Sequence, residues 1–186
     1  MVELMITLVI VAILLGIGIP SMKSFMQGNR LIAASNALVS AVHIARSEAI
    51  KQNTAVTVCE SSNGTSCGNS GDWKNGWIVF TDSDYNRVNS GAPCSGPNTD
   101  CLLRVHEGFD QSQLKISGLD PNTANVSSLT FTSRGLPLAA NGSATSAVFS
   151  ICGLDGSGNT ITSRAVVVSV AGRVRVSDNT AVISCP

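Results

Sequence analysis

Hydrophobic and polar positions fall into three textures along the chain. From Leu4 to Ile19 no side chain is charged, and only Thr7 carries a hydroxyl. A helix over residues 1–19 would be about 28 Å long, close to the roughly 30 Å hydrocarbon core of a bilayer. Past that run, Leu31, Ala34, Leu38, Ala41, Val42, Ala45 and Ala49 recur at three- and four-residue steps. That period predicts a helix with one apolar stripe, and the small residues on it let a sheet come close. Arg46 and Glu48 lie off the stripe. Pro20 and Gly28 should bend the long helix or loosen it locally.

After Asn53 the texture changes. Short β-branched runs alternate with Gly, Asn, Ser and Asp clusters: "TAVTVC", "GWIVF", "CLLRVHEGF", "LKISGL", "SSLTFTS", "AVFSIC", "SRAVVVSV", "GRVRVS" and "TAVISC". These predict about nine short antiparallel strands, with a hairpin around Ala171-Gly172. The expected fold class is α+β, a long N-terminal helix packed on an antiparallel β-sheet or β-sandwich. Three parts are expected: a membrane or filament-core helix over 1–24, an amphipathic helix over 25–53, and a β domain over 54–186.

The six cysteines change the picture of the long polar loops. They fall into plausible pairs: Cys59 with Cys67, Cys94 with Cys101, and Cys152 with Cys185. Six cysteines admit many connectivities, so the spacing alone leaves the map open. None shows the Cys-x-x-Cys spacing of a zinc or redox site, and an oxidising compartment is the better reading. A Cys152–Cys185 bridge would flank the arginine-bearing hairpin and tie the last strand to the sheet. The alternative is a set of buried free thiols.

Charge is balanced, with twelve basic and twelve acidic residues, so no global field points to nucleic acid. The balance is uneven along the chain. Residues 60–120 are acidic, whereas both ends are mildly basic. A cleaved secretory signal would need a basic start and a composition break after a small-residue cleavage site. Here Glu3 is acidic and helical patterning continues past Pro20, which favours a retained helix.

The N-terminal "MVELMITLVIVAILLGIGIP" resembles the start of type IV pilins and type II secretion pseudopilins. The likeness continues through "ARSEAIKQNTAVTVC", "WKNGWIVFTD", "LTFTSRGLP" and "FSICGLDG…RAVVVSVAGRVRV". In that order these segments resemble the GspH/FimT (FimU-like) group of minor pilins and pseudopilins. Laying Glu3 on the family's glutamate makes Met1 the third mature residue and Pro20 the family's helix proline. The resemblance implies that Glu3 pairs with the N-terminal amine of a neighbouring subunit during assembly; the alternative is a plain interfacial residue. It also implies several partners: other pilin or pseudopilin subunits, the bacterial inner membrane before assembly, and a prepilin peptidase acting on the full-length precursor. The implied location is the inner membrane, then the periplasm or cell surface.

No catalytic constellation is visible. His43 and His106 have no nucleophile motif beside them, so an enzyme is not expected and no cofactor is called for. Asp82, Asp84 and Asn86 alternate like the start of a calcium loop, but Arg87 stands where the glycine should be, and a polar loop is the better reading. Trp73 and Trp77 read as core or turn anchors.

The sharpest site is Gly172-Arg173-Val174-Arg175. On a strand, Arg173 and Arg175 would share one face about 7 Å apart, while Val174 and Val176 would face the core. The segment resembles the DNA-contacting motif of FimT-like minor pilins used in natural transformation, with Arg164 on the preceding strand as a candidate helper. The alternative is a solvated strand edge blunted by arginines. Three functional readings stand: a minor pilin that primes or caps a type IV pilus, a tip pseudopilin of a type II secretion system, and a tip pilin that captures double-stranded DNA.

Overall fold

The computed structural model describes residues 2–89, 100–109, 114–122, 124–138, 143–155, 157–179 and 183–185, with the side chains of 17–21, 23 and 24 outside that set. Helix α1 spans Val2–Gln52 and remains α-helical through both Pro20 and Gly28. Its end is closed by backbone geometry. Asn53 takes the left-handed conformation (φ 50°), the Asn53 amide donates to the Ile50 carbonyl, and the Thr54 amide donates to the Ala49 carbonyl. This is the Schellman arrangement, and asparagine is one of the few residues that enters it at low cost.

The predicted stripe is the buried face of the helix. Leu31, Ala34, Leu38, Ala41, Val42, Ala45 and Ala49 are each 3% exposed or less. The strands follow: β1 (Val56–Glu60), β2 (Gly76–Thr81), β3 (Leu102–Glu107), β4 (Leu114–Leu119), β5 (Ser128–Phe131), β6 (Pro137–Leu138), β7 (Ala147–Leu154), β8 (Thr160–Val168) and β9 (Val174–Ser177). They form two antiparallel sheets, one ordered β3-β2-β1-β5-β6 and the other β4-β7-β8-β9. Helix α1 touches strands of both. Val56, Val58, Leu129 and Phe131 from the first sheet meet Ile116, Phe149, Ile151 and Val166 from the second in one cluster with the helix stripe. Trp73 and Trp77 belong to that core. The Trp73 indole N–H donates to the Val126 carbonyl at 2.7 Å, and its ring stands edge-on to Phe149.

The first sheet is also covered on its outer face. Cys59, Ile78 and Phe80 form a second apolar cluster there, with Cys67 and Leu102 against it. Cys59 and Cys67 are bonded, which holds the following loop over this cluster. Glu60, 2% exposed, fixes the same loop by accepting from the Ser70 hydroxyl and the Gly71 amide. Long polar loops thus serve as the outer cover of a sheet whose inner face is taken by the helix.

The strand pattern needs two corrections. β6 is a two-residue strand that carries no apolar alternation and was not expected. Of the predicted strand "TAVISC", residues 183–185 are irregular, and residues 180–182 lie outside the described set. The Cys152–Cys185 bond is present, and it ties this segment across the face of β7. The Ser184 amide donates to the Ser150 hydroxyl at 3.0 Å, and no ladder forms. Cys101 is disulfide-bonded, and Cys94, its expected partner, lies outside the described residues.

The close approach of helix and sheets depends on alanine. Ala45→Leu should overfill a site with no free surface and cost about 1–3 kcal/mol. Ser47→Leu, on the exposed side of the same turn, should stay within about 0.5 kcal/mol. Urea unfolding of the full chain in non-ionic detergent measures both.

Candidate functional site

Two hairpin turns of the same construction meet at the C-terminal end of α1. Between β5 and β6, the Gly135 amide donates to the Thr132 carbonyl and the Thr132 amide donates to the Leu136 carbonyl. Between β8 and β9, the Gly172 amide donates to the Ser169 carbonyl and the Ser169 amide donates to the Arg173 carbonyl. Each turn needs a residue in the left-handed region at its fourth position, and each has glycine there, at φ 73° and 70°. The turns touch. A Cβ on Gly172 would lie 2.3 Å from the Gly135 carbonyl oxygen, so Gly172 is required for contact as well as for conformation.

Arg46 reaches into this junction from the helix. Its Nη1 donates to the Gly172 carbonyl at 2.9 Å. Its Nε lies 3.0 Å from where a Cβ of Gly135 would stand and 3.1 Å from that of Gly172. The Nε is buried and has no hydrogen-bond partner among the described residues. Sequence patterning set Arg46 aside as off the apolar stripe. The signal that could have found it is the repeated Thr/Ser-x-x-Gly turn, Thr132 to Gly135 and Ser169 to Gly172.

Arg175 is exposed on β9, the edge strand of the four-stranded sheet, whereas Arg173, also exposed, lies at the end of the turn before that strand and so does not share a strand face with Arg175 as the sequence pattern predicts. Arg175 stands opposite Val167, on the face turned away from the helix. Arg134, in the neighbouring turn, is exposed as well and was not anticipated. Among the described residues none of these three guanidiniums forms an ion pair. Arg164 is placed elsewhere. It alternates with Val166 and Val168, on the opposite face from Arg175, and its Nε pairs with Asp178 at 3.2 Å. The structure therefore brings together Arg173, Arg175 and Gly172 but not Arg164. The two valines of the motif also divide. Val174 packs against the core, but Val176 is 41% exposed, because the apolar cover over its neighbour Val166 ends before this open edge.

Glu3 is exposed in the first turn of α1, and Pro20 lies within the helix with its side chain outside the described set. From Val2 to Leu15 every large apolar side chain is between 49% and 70% exposed. Among the described residues no helix is long and apolar enough to cross a membrane. The described uncharged apolar stretch, residues 4–16, covers only about 20 Å.

Two other polar groupings have structural roles. One carboxylate oxygen each from Asp82, Asp84 and Asp100 lies within 4.8 Å of the others, a donor set that could hold a cation. Asp82 is occupied, however: it accepts from the Thr57 hydroxyl at 2.6 Å and from the Arg87 amide, and Asp84 accepts from Asn86. Burial pushes the Asp82 carboxyl above the usual aspartate range, and the bonds from Thr57 and Arg87 offset part of that. His106 stacks on Trp77 with ring centroids 4.0 Å apart, and burial lowers its basicity. Among the described residues its side chain makes no hydrogen bond to a nucleophile or an acid, and its ring packs between Trp77 and Phe109.

Comparison with known proteins follows the same lines. The family model described as Type II transport protein GspH matches residues 34–172. Among solved structures, the chain is similar to the type IV minor pilin FimU of Pseudomonas aeruginosa in two crystal forms. In the first, identity is 24% over 82% of this chain and 92% of that chain, with a TM-score of 0.53. In the second, identity is 26% over 79% of this chain and 92% of that chain, with a TM-score of 0.51. No curated protein gives a match.

Gly172→Ala should cost about 2 kcal/mol or more, since strain in the left-handed region adds to collision with backbone. Gly158→Ala isolates the conformational part: Gly158 also has positive φ, but nothing lies within 4 Å of its would-be Cβ, so about 1 kcal/mol is expected. Thermal unfolding of the two variants should separate these costs. Asp82 gives a pH prediction. Because its folded value is raised, its contribution is fully present below the ordinary 3.8 and is lost as pH rises through the folded value. The stability of Asp82→Asn relative to wild type should therefore increase as pH rises above about 4. A difference that stays constant across urea titrations at several pH values would contradict this.

Proposed function

The chain belongs to the GspH family of type II transport proteins, and on that premise we propose that it is a minor pilin or pseudopilin. It serves as a structural subunit at the tip of a type IV pilus and grips duplex DNA through Arg173 and Arg175. The observation that carries the assembly role is the exposed, uncharged apolar surface of residues 4–16 leading a β domain of FimU-like fold. Water is a poor surrounding for that surface, since each large apolar side chain gains about 1.5–3 kcal/mol on full burial. Lipid and packed neighbouring helices are both apolar, so the helix exchanges one for the other at little hydrophobic cost. Residues 1–24 are then membrane-embedded before assembly and lie in the filament core afterwards, with the β domain in the periplasm or at the surface. Glu3, near the interface, is placed to pair with the N-terminal amine of a neighbouring subunit. Maturation by a prepilin peptidase belongs to the same reading.

The DNA part rests on two exposed guanidiniums at an unpaired sheet edge. Phosphate contact carries no sequence information, so binding is weak and sequence-blind. Uptake of any DNA requires no more. The family's description favours a second reading, a GspH-like tip pseudopilin of a type II protein secretion system that binds no DNA.

Two measurements test these parts. Val9→Lys should remove the chain from both the membrane fraction and sheared filaments, because a charge in the hydrocarbon centre costs about 2.5–3.5 kcal/mol. Retention at the wild-type level would sink the assembly role. The full chain in non-ionic detergent should retard an arbitrary DNA fragment at low salt. Arg173→Gln with Arg175→Gln should abolish this while stability stays within about 1 kcal/mol. Absence of wild-type retardation would remove the DNA part and leave the structural readings, minor pilin or secretion pseudopilin.

A further inference from the structure

We propose that Arg46 is a positioning residue that locks the two glycine turns together, so that Arg134 joins Arg173 and Arg175 in one polyanion-binding edge. This inference rests on the DNA reading above and adds to it a residue on the helix and a residue on a different hairpin.

The argument starts from contact. Gly172 stands directly before Arg173, and Gly135 directly after Arg134. The two glycines touch closely enough that no Cβ fits between them. Arg134 and Arg173 are therefore neighbours in space, though they belong to different sheets. All three arginines are exposed, Arg134 and Arg173 each directly beside a glycine of the turn contact and Arg175 two residues further on, and none of them is neutralised by a carboxylate of the described residues. Like charges so placed repel, and the phosphates of a duplex would offset that repulsion.

Something must hold the turns in place. Among the described residues the one side-chain hydrogen bond to this junction from the helix is that of Arg46 to the Gly172 carbonyl. A packing role alone would suit an apolar side chain better. Arg46 keeps a buried Nε without a partner, which costs stability that Met at the same position would not. What Arg46 supplies and Met cannot is the bond to the Gly172 carbonyl, which sets the direction in which Arg173 and Arg175 leave the turn. Fixing the arginines before binding reduces the ordering cost of association. Arg46 acts through this carbonyl and does not itself touch DNA.

The salt dependence of binding counts phosphate contacts, and so separates positioning from contact. The full chain in non-ionic detergent is titrated with a random-sequence duplex at several salt concentrations. Arg46→Met should weaken binding about fivefold with the wild-type salt slope, through lost preorganisation alone. Arg46→Lys, which keeps a donor for the Gly172 carbonyl, should restore part of the affinity. Arg134→Gln should reduce the magnitude of the slope by about 0.9, one phosphate contact. If wild type does not bind, the DNA reading itself has failed. If wild type binds and the Arg173, Arg175 double variant does not, yet Arg46→Met and Arg134→Gln match wild type in affinity and slope, this inference is overturned and the DNA reading stands. A reduced slope for Arg46→Met would make Arg46 a direct contact and overturn its positioning role. Should Arg46→Met fail to fold, Arg46→Lys and the exposed Arg134→Gln still decide the matter. Wild-type slope in Arg134→Gln then counts against the composite edge.

Discussion

Everything in this molecule is arranged around a helix face made of alanine. Ala34, Ala41, Ala45 and Ala49 let α1 settle close to the inner faces of two sheets at once. A helix with large residues on this face would stand farther from the sheets, and one cluster could not span the helix, β1 and β5 on one side and β7 and β8 on the other. The helix and the second sheet together take the inner face of the first sheet. Its outer face must find another cover, and the loop after β1, closed by Cys59–Cys67 and by Glu60, provides it. The Cys59–Cys67 bond and the buried Glu60 carboxylate thus serve the face of the first sheet that the helix leaves uncovered.

The same seat delivers Arg46 to the hairpin junction. One residue past Ala45, its side chain points along the margin of the helix–sheet contact and reaches the Gly172 carbonyl. The arginine motif is therefore not an isolated strand edge. It is held from behind by the helix, and from the side by a second turn of the same design that carries its own arginine. The helix thus has two ends with different tasks. Residues 4–16 expose an apolar surface, and the last turns carry Arg46 to the Gly172 carbonyl beside the exposed basic edge.

Much of this was legible in the sequence, for physical reasons. The stripe from Leu31 to Ala49 was readable because helical period and burial coincide there. Most strands were readable because β-branched runs were bounded by turn residues. The pairs Cys59–Cys67 and Cys152–Cys185 were among the pairings that spacing made plausible, but only the structure selects them. What was hidden depends on contacts distant in sequence. Arg46 meets Gly172 across 126 residues, and no local pattern encodes such a meeting. Arg164 was misplaced because the chain near it reads equally well on either face until register is known, and register sends it to Asp178. Residues 183–185 have strand-like composition yet are irregular, held against β7 by the Cys152–Cys185 disulfide and the bond from the Ser184 amide to the Ser150 hydroxyl.

The division of α1 into an outward apolar half and an inward packed half is tested most directly by photo-crosslinking. A photoreactive residue at Leu14, in the full chain in membranes and in filaments, reports what touches the exposed half. The two-part helix predicts adducts with lipid acyl chains in membranes and with the N-terminal helices of neighbouring subunits in filaments. Adducts within the same chain, to residues of the two sheets, would contradict it.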